Sequence, residues 1–159
     1  MNRIYDCVAS VVEFQTLTGK LDHVASRDDL LNQAKLVLEE AKELVFAVEN
    51  QSEEEILKEL TDCLVVNFGF AAMLSRSGYD VYSAWNVTNS NNMSKFCTTQ
   101  TDGFYTLAGY QSSTQDHYEL RQVDRDKWGC FNSANKLMKP ISYAKANVSK
   151  FTPTYKEEV

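Results

Sequence analysis

Apolar residues recur at helical spacing along the first hundred residues and lose that rhythm afterwards. Asn2 is placed to cap a first helix that runs to about Phe14 or Thr16, with Ile4, Val8, Val11 and Val12 as its stripe. Gly19 ends this segment, and residues 21–25 read as a loop leading to Ser26, an N-cap followed by Asp28 and Asp29. The second helix, about Arg27 to Glu49, carries Leu30, Ala34, Val37, Ala41, Leu44 and Val48 on one stripe. Leu36, Glu40, Glu43 and Ala47 form another. Asn50 and Gln51 make a turn, and Ser52 followed by Glu55 reads as a capping box opening a third helix at about Glu53. Its stripes are Ile56, Leu60, Cys63, Leu64, Asn67, Phe68 and Ala71, and Glu59, Asp62, Val66, Gly69 and Met73. Gly78 is its natural stop. A connection this short makes the second and third helices antiparallel neighbours.

A fourth helix follows from about Asp80 to Phe96. After Cys97 the chain turns polar, and residues 98–115 read as a loop with one short helix near Phe104 to Tyr110. Residues 118–123 alternate like a strand, 126–129 are turn-like, and 130–132 return as a second strand. From about Phe151 a weakly ordered tail is expected. The fold class is therefore mainly α: an antiparallel four-helix core over residues 1–97, with residues 98–159 as a loop and β-hairpin appendage of the same domain.

Composition narrows the partners. The 159 residues suit one domain, and the net charge of −6 lacks the basic footprint that a nucleic-acid polymer would require. No apolar run reaches the ~18–20 residues of a membrane span. Asp6 and Glu13 interrupt the N-terminal apolar residues, so no signal peptide is expected and the cytoplasm is the predicted compartment. Cys7, Cys63, Cys97 and Cys130 stand far apart, and Cys7 and Cys63 read as buried free thiols on apolar faces.

The anomaly in this pattern is acid inside apolar stripes. Glu40 and Glu43 lie one helical turn apart, as do Glu59 and Asp62, so each pair projects from one helix face. Glu is a good helix former, and such strings are common on solvated faces. Asp within an apolar helix, remote from any cap, is harder to dismiss. Four clustered carboxylates raise one another's pKa unless a cation neutralises them. All-oxygen ligation suits Mg²⁺, which often completes its shell with substrate phosphates. Neither His23 nor His117 lies in the Glu-x-x-His motif of di-iron sites, and nothing nearby supports zinc.

Glu39-Glu40-x-x-Glu43, then 15 residues, then Glu59-x-x-Asp62 resembles the signature of the all-α nucleoside triphosphate pyrophosphohydrolases. That superfamily includes MazG-like, dimeric dUTPase-like and phosphoribosyl-ATP pyrophosphohydrolase enzymes. The resemblance spans Ile4 to about Phe96 and implies a four-helix MazG-like core. Asn92 and Lys95 resemble a fourth-helix motif used on substrate phosphates. Phe14 and Gln15 resemble a position that helps to enclose the nucleobase. The closing segment with Lys136 and Lys139 looks like the tail of phage-encoded members, which would act in a host cytoplasm. Asn91, where a small residue is expected, and the polar stretch 98–127 depart from the pattern.

The resemblance implies that Glu40, Glu43, Glu59 and Asp62 ligate Mg²⁺, with Mn²⁺ as a substitute. Activated water would then attack the α-phosphorus, releasing a nucleoside monophosphate and pyrophosphate. Glu39, about 100° around the helix from Glu40, would orient that water, act as base, or face solvent. Asn92 and Lys95 would hold terminal phosphates, although a lysine at a helix end also compensates the dipole. Phe14 is a base-stacking platform or a core residue; Tyr82 and Trp85 are weaker candidates. Lys136 and Lys139 would reach phosphates or form a solvated patch. A homodimer or homotetramer is implied. The rival functions are a nucleotide-sequestering protein that does not turn over and a helical interaction module.

Overall fold

A computed structural model describes residues 3–153. Asn2, the side chain of Ile4 and the end of the expected tail lie outside the described residues. The elements are α1 (Arg3–Leu17), α2 (Arg27–Asn50), α3 (Glu53–Arg76), α4 (Val81–Met93), α5 (Gln100–Ser113), β1 (Tyr118–Asp124) and β2 (Lys127–Asn132), with a 3-10 turn at Ser149–Phe151. The protein is mainly helical, with a two-stranded antiparallel sheet toward its C-terminal end. The chain forms two compact units: one holds the described residues through Val81 and from Phe151, the other Tyr82–Lys150.

In the first unit α2 packs along α3, and α1 packs on α3. Ser26 starts α2 with a full capping box. Its side chain accepts from Asp29 N, and Asp29 Oδ2 accepts from Ser26 N at 2.9 Å. The Ser26 hydroxyl donates to Asp29 Oδ2 at 2.7 Å, and this bond first, then that from Ser26 N and the contact with His23, hold the Asp29 carboxyl below its usual range. Ser52 caps α3 by accepting from Glu55 N. Gly78, at φ +87°, ends the helix where a side chain would be strained. α1 reaches α3 at Gly69, where an added Cβ would lie 2.6 Å from Gln15 Nε2. Phe151, expected in a loose tail, instead accepts from Asp80 N through its carbonyl at 3.0 Å.

The buried seam differs from the most aliphatic stripes. On α2 it runs Leu30, Gln33, Val37, Glu40, Leu44, Ala47, at alternating steps of three and four. On α3 it runs Ile56, Glu59, Cys63, Val66, Phe70, Met73. Ala34, Ala41, Val48, Leu60 and Leu64, expected in the core, are exposed. On each helix the seam runs between the two expected stripes, taking Leu30, Val37 and Leu44 from one with Glu40 and Ala47 from the other on α2, and Ile56 and Cys63 with Glu59, Val66 and Met73 on α3. Cys7 is exposed and Cys63 half-buried, contrary to expectation, while Cys97 and Cys130 are buried; all four are free thiols.

In the second unit α5 packs on β1 and β2. It is a helix of 14 residues where a loop with one short helix is expected. Thr99 caps it by accepting from Asp102 N, and Gly103 lets it approach β1 so closely that an added Cβ would meet Leu120 Cδ1 at 2.6 Å. β2 begins at Lys127, three residues before the expected strand. Tyr118 pairs with Asn132 and Leu120 with Cys130. Cys97 and Trp128 exchange backbone hydrogen bonds of 2.8 and 2.9 Å, which tie the segment after α4 to β2.

Ser26→Ala should lose about 1 kcal/mol of stability in urea unfolding near neutral pH, the usual cost of a lost N-cap. Asp29→Ala should also be less stable than wild type there. Because the fold depresses the Asp29 pKa, its contribution is present above the ordinary Asp range. It fades as pH falls through the lowered value. A gap between Asp29→Ala and wild type that stays constant down to pH 2 contradicts this assignment.

Candidate metal centre

Gln33 sets the register of the α2–α3 pair: its Nε2 donates to Val66 O at 3.0 Å. Seven residues further along α2 and seven back along α3, Glu40 comes opposite Glu59. Glu40, Glu43 and Glu59 each offer an oxygen, and these oxygens lie within 4.8 Å of one another. Glu43 is exposed and Glu40 half-buried, while Glu59 is 7% exposed. Burial, and then the charges of Glu43, Asp62, Glu59 and Glu39, push the Glu40 carboxyl above its ordinary range.

Asp62 lies outside this trio, though its charge acts on Glu40. Its Oδ2 accepts from Lys58 Nζ at 3.1 Å, and the same ammonium donates to Glu59 Oε1 at 2.8 Å. These bonds, Glu59's first, hold Lys58 well above the usual lysine range. Glu59 Oε2 is buried and has no hydrogen-bond partner among the described residues. A buried carboxylate oxygen without a donor is costly in a low-dielectric environment. A divalent cation held by Glu40, Glu43 and Glu59 would satisfy it, so the donor set fits a hard cation.

Two cavities lie in the first unit, and one of them reaches Glu43 and Glu59. One of about 350 Å³ is lined by Lys42, Glu43, Phe46, Gln51 and Glu59. The other, about 230 Å³, includes Gln33, Leu36 and Met73 beside Lys20, His23, Asp29 and Asn32. Lys42, Lys58, Phe46 and Gln33 were not singled out by the stripe pattern. Lys58 was findable, since it lies four residues before Asp62 in a favourable helical pairing.

The remaining candidates divide between the units. Glu39 is exposed. Phe14 is 56% exposed and so is not a core residue, whereas Gln15 is buried with its Oε1 unpartnered among the described residues. In the second unit Lys95 Nζ donates to Asn92 Oδ1 at 2.8 Å. Lys136 N donates to Asn132 Oδ1 in the turn after β2, beside Asn135 in its left-handed conformation. Lys139 Nζ lies 4.8 Å from the centre of the Tyr143 ring.

In chelator, Glu40→Gln should be more stable to heat than wild type at neutral pH. The fold raises the Glu40 pKa, so the charged form is disfavoured there. The advantage should vanish on acidification, once wild-type Glu40 is protonated. A variant less stable than wild type at every pH contradicts the crowding of charge.

Residues 29–89 match the family model of the MazG nucleotide pyrophosphohydrolase domain. The matched span runs from the first turn of α2 through α3 into α4 and includes Glu40, Glu43, Glu59 and Asp62. No curated protein and no solved structure was found to match the chain. The family match supports the nucleoside triphosphate pyrophosphohydrolase superfamily, whose members are hydrolases, and it falls on the helices that carry the carboxylate trio.

Proposed function

We propose that this chain is a Mg²⁺-dependent pyrophosphohydrolase of nucleoside triphosphates or related nucleotides, with Mn²⁺ as a substitute. It would yield the monophosphate and pyrophosphate. The observation that carries this reading is the convergence of Glu40, Glu43 and Glu59, with one buried Glu59 oxygen unpartnered among the described residues, inside the span matching the MazG domain. A divalent cation bound there supplies charge neutralisation for phosphates and acidifies water. Asp62 completes the ligand set. Glu39, on the exposed flank of α2, accepts a proton from the attacking water and orients it.

By the resemblance, Asn92, Lys95, Lys136 and Lys139 take substrate phosphates, and Phe14 and Gln15 enclose the base. The same resemblance brings a four-helix MazG-like core, a phage-type origin and action in the host cytoplasm into this reading. Apolar surface supports a homodimer or homotetramer. Leu31, Leu38 and Val45 recur every seven residues on α2, and Leu57, Leu60 and Leu64 follow on α3, all 44–63% exposed. Contiguous apolar faces of this kind mark association surfaces.

A panel of NTPs and dNTPs with Mg²⁺ should release pyrophosphate from at least one member. Glu40→Gln and Asp62→Asn should each lower that rate by at least about 100-fold, the scale set by removing one group that stabilises transition-state charge. Turnover surviving both substitutions would sink the site. Tight nucleotide binding without product would point to a sequestering protein instead. In light scattering the wild type should exceed the mass of one chain, and Leu57→Glu with Leu64→Glu should shift it toward the monomer. A wild type of single-chain mass removes the association.

A further inference from the structure

The cation nearest these carboxylates is the protein's own. Lys58 Nζ bonds Glu59 Oε1 and Asp62 Oδ2, at 2.8 and 3.1 Å. Glu59 is thus divided: one oxygen meets the ammonium, and the other is buried and unpartnered among the described residues. Asp62 has turned an oxygen to Lys58 and is absent from the trio whose oxygens lie within 4.8 Å. The Lys58 side chain is 58% exposed, so it can swing outward on its flexible stem without opening the helix pair.

Charge accounting says where it goes. Glu40, Glu43, Glu59 and Asp62 carry four negative charges when ionised, and one divalent cation leaves two unbalanced. A triphosphate approaching such a site meets repulsion that a nearby ammonium offsets. We propose that Lys58 is the resident counter-ion of the carboxylate site and also an anion-binding residue. Entry of a divalent cation displaces its ammonium from Glu59 and Asp62, and the freed ammonium binds a phosphate group of the nucleotide. This inference rests on the cation site proposed above.

The exchange predicts effects of opposite sign from one substitution, which a merely structural role would not produce. Calorimetric titration of Mg²⁺ into nucleotide-free protein should show Lys58→Gln binding the ion about three- to tenfold more tightly than wild type. That is the scale of one or two partly exposed ion pairs that no longer compete. With Mg²⁺ saturating, inorganic pyrophosphate should bind Lys58→Gln more weakly by a similar factor, and Lys58→Arg should recover part of that loss. Lys35→Gln, which removes the same charge from the neighbouring helix α2, should change neither constant by as much as twofold. Unchanged or weaker Mg²⁺ binding by Lys58→Gln, or unchanged pyrophosphate binding, overturns the inference while leaving the cation site standing. A wild type that takes up no Mg²⁺ overturns both.

Discussion

Like charges do not pack between two helices without a counter-charge, and the first unit is organised around that constraint. The α2–α3 seam alternates aliphatic residues with Gln33, Glu40 and Glu59 where an ordinary helical pair would bury hydrocarbon throughout. Each polar insertion has a distinct consequence. Gln33 is satisfied by a helix carbonyl and fixes the register. Glu40 is held partly toward its neutral form by burial and its neighbours. Glu59 leans on Lys58 with one oxygen only. The seam is stable enough to form because its flanks are apolar, yet its middle is incomplete without positive charge.

Placing carboxylates inside leaves aliphatic residues outside. Leu57, Leu60 and Leu64 on α3 are exposed, and so are Leu31, Leu38 and Val45 on α2. The hydrophobic driving force that a conventional hairpin would spend within itself is thus directed outward. Site chemistry and surface chemistry are consequently coupled through the rotation of each helix about its axis: one angle decides both.

The helices of the first unit were legible in the sequence because caps and periodicity agree there. Ser26, Ser52 and Gly78 mark boundaries that the structure keeps. Glu40, Glu43 and Glu59 were equally legible from their spacing, and they converge. The rotation of each helix was not legible, since both stripes have the same period and the buried seam runs between them. α5 was hidden for another reason: Thr, Ser, Gly and Tyr dominate it, and intrinsic propensity ranks them low. It is helical because Thr99 caps it and Gly103 admits the β1 side chain of Leu120. Lys58 escaped notice because a lysine beside acid usually reads as a solvated surface pair, and only the burial of Glu59 gives it a different weight.

The turn between α2 and α3 occupies just Gln51 and Ser52. Glu43 and Glu59 are consequently joined by a short piece of chain, and bringing them together involves closing a small loop rather than assembling distant parts of the molecule. Contacts this local are among the quickest that a polypeptide makes. Lys58, contributed by the same helix as Glu59 and Asp62, is likewise local, so the acid and its counter-charge belong to one continuous stretch of chain and no distant segment is required to bring them together.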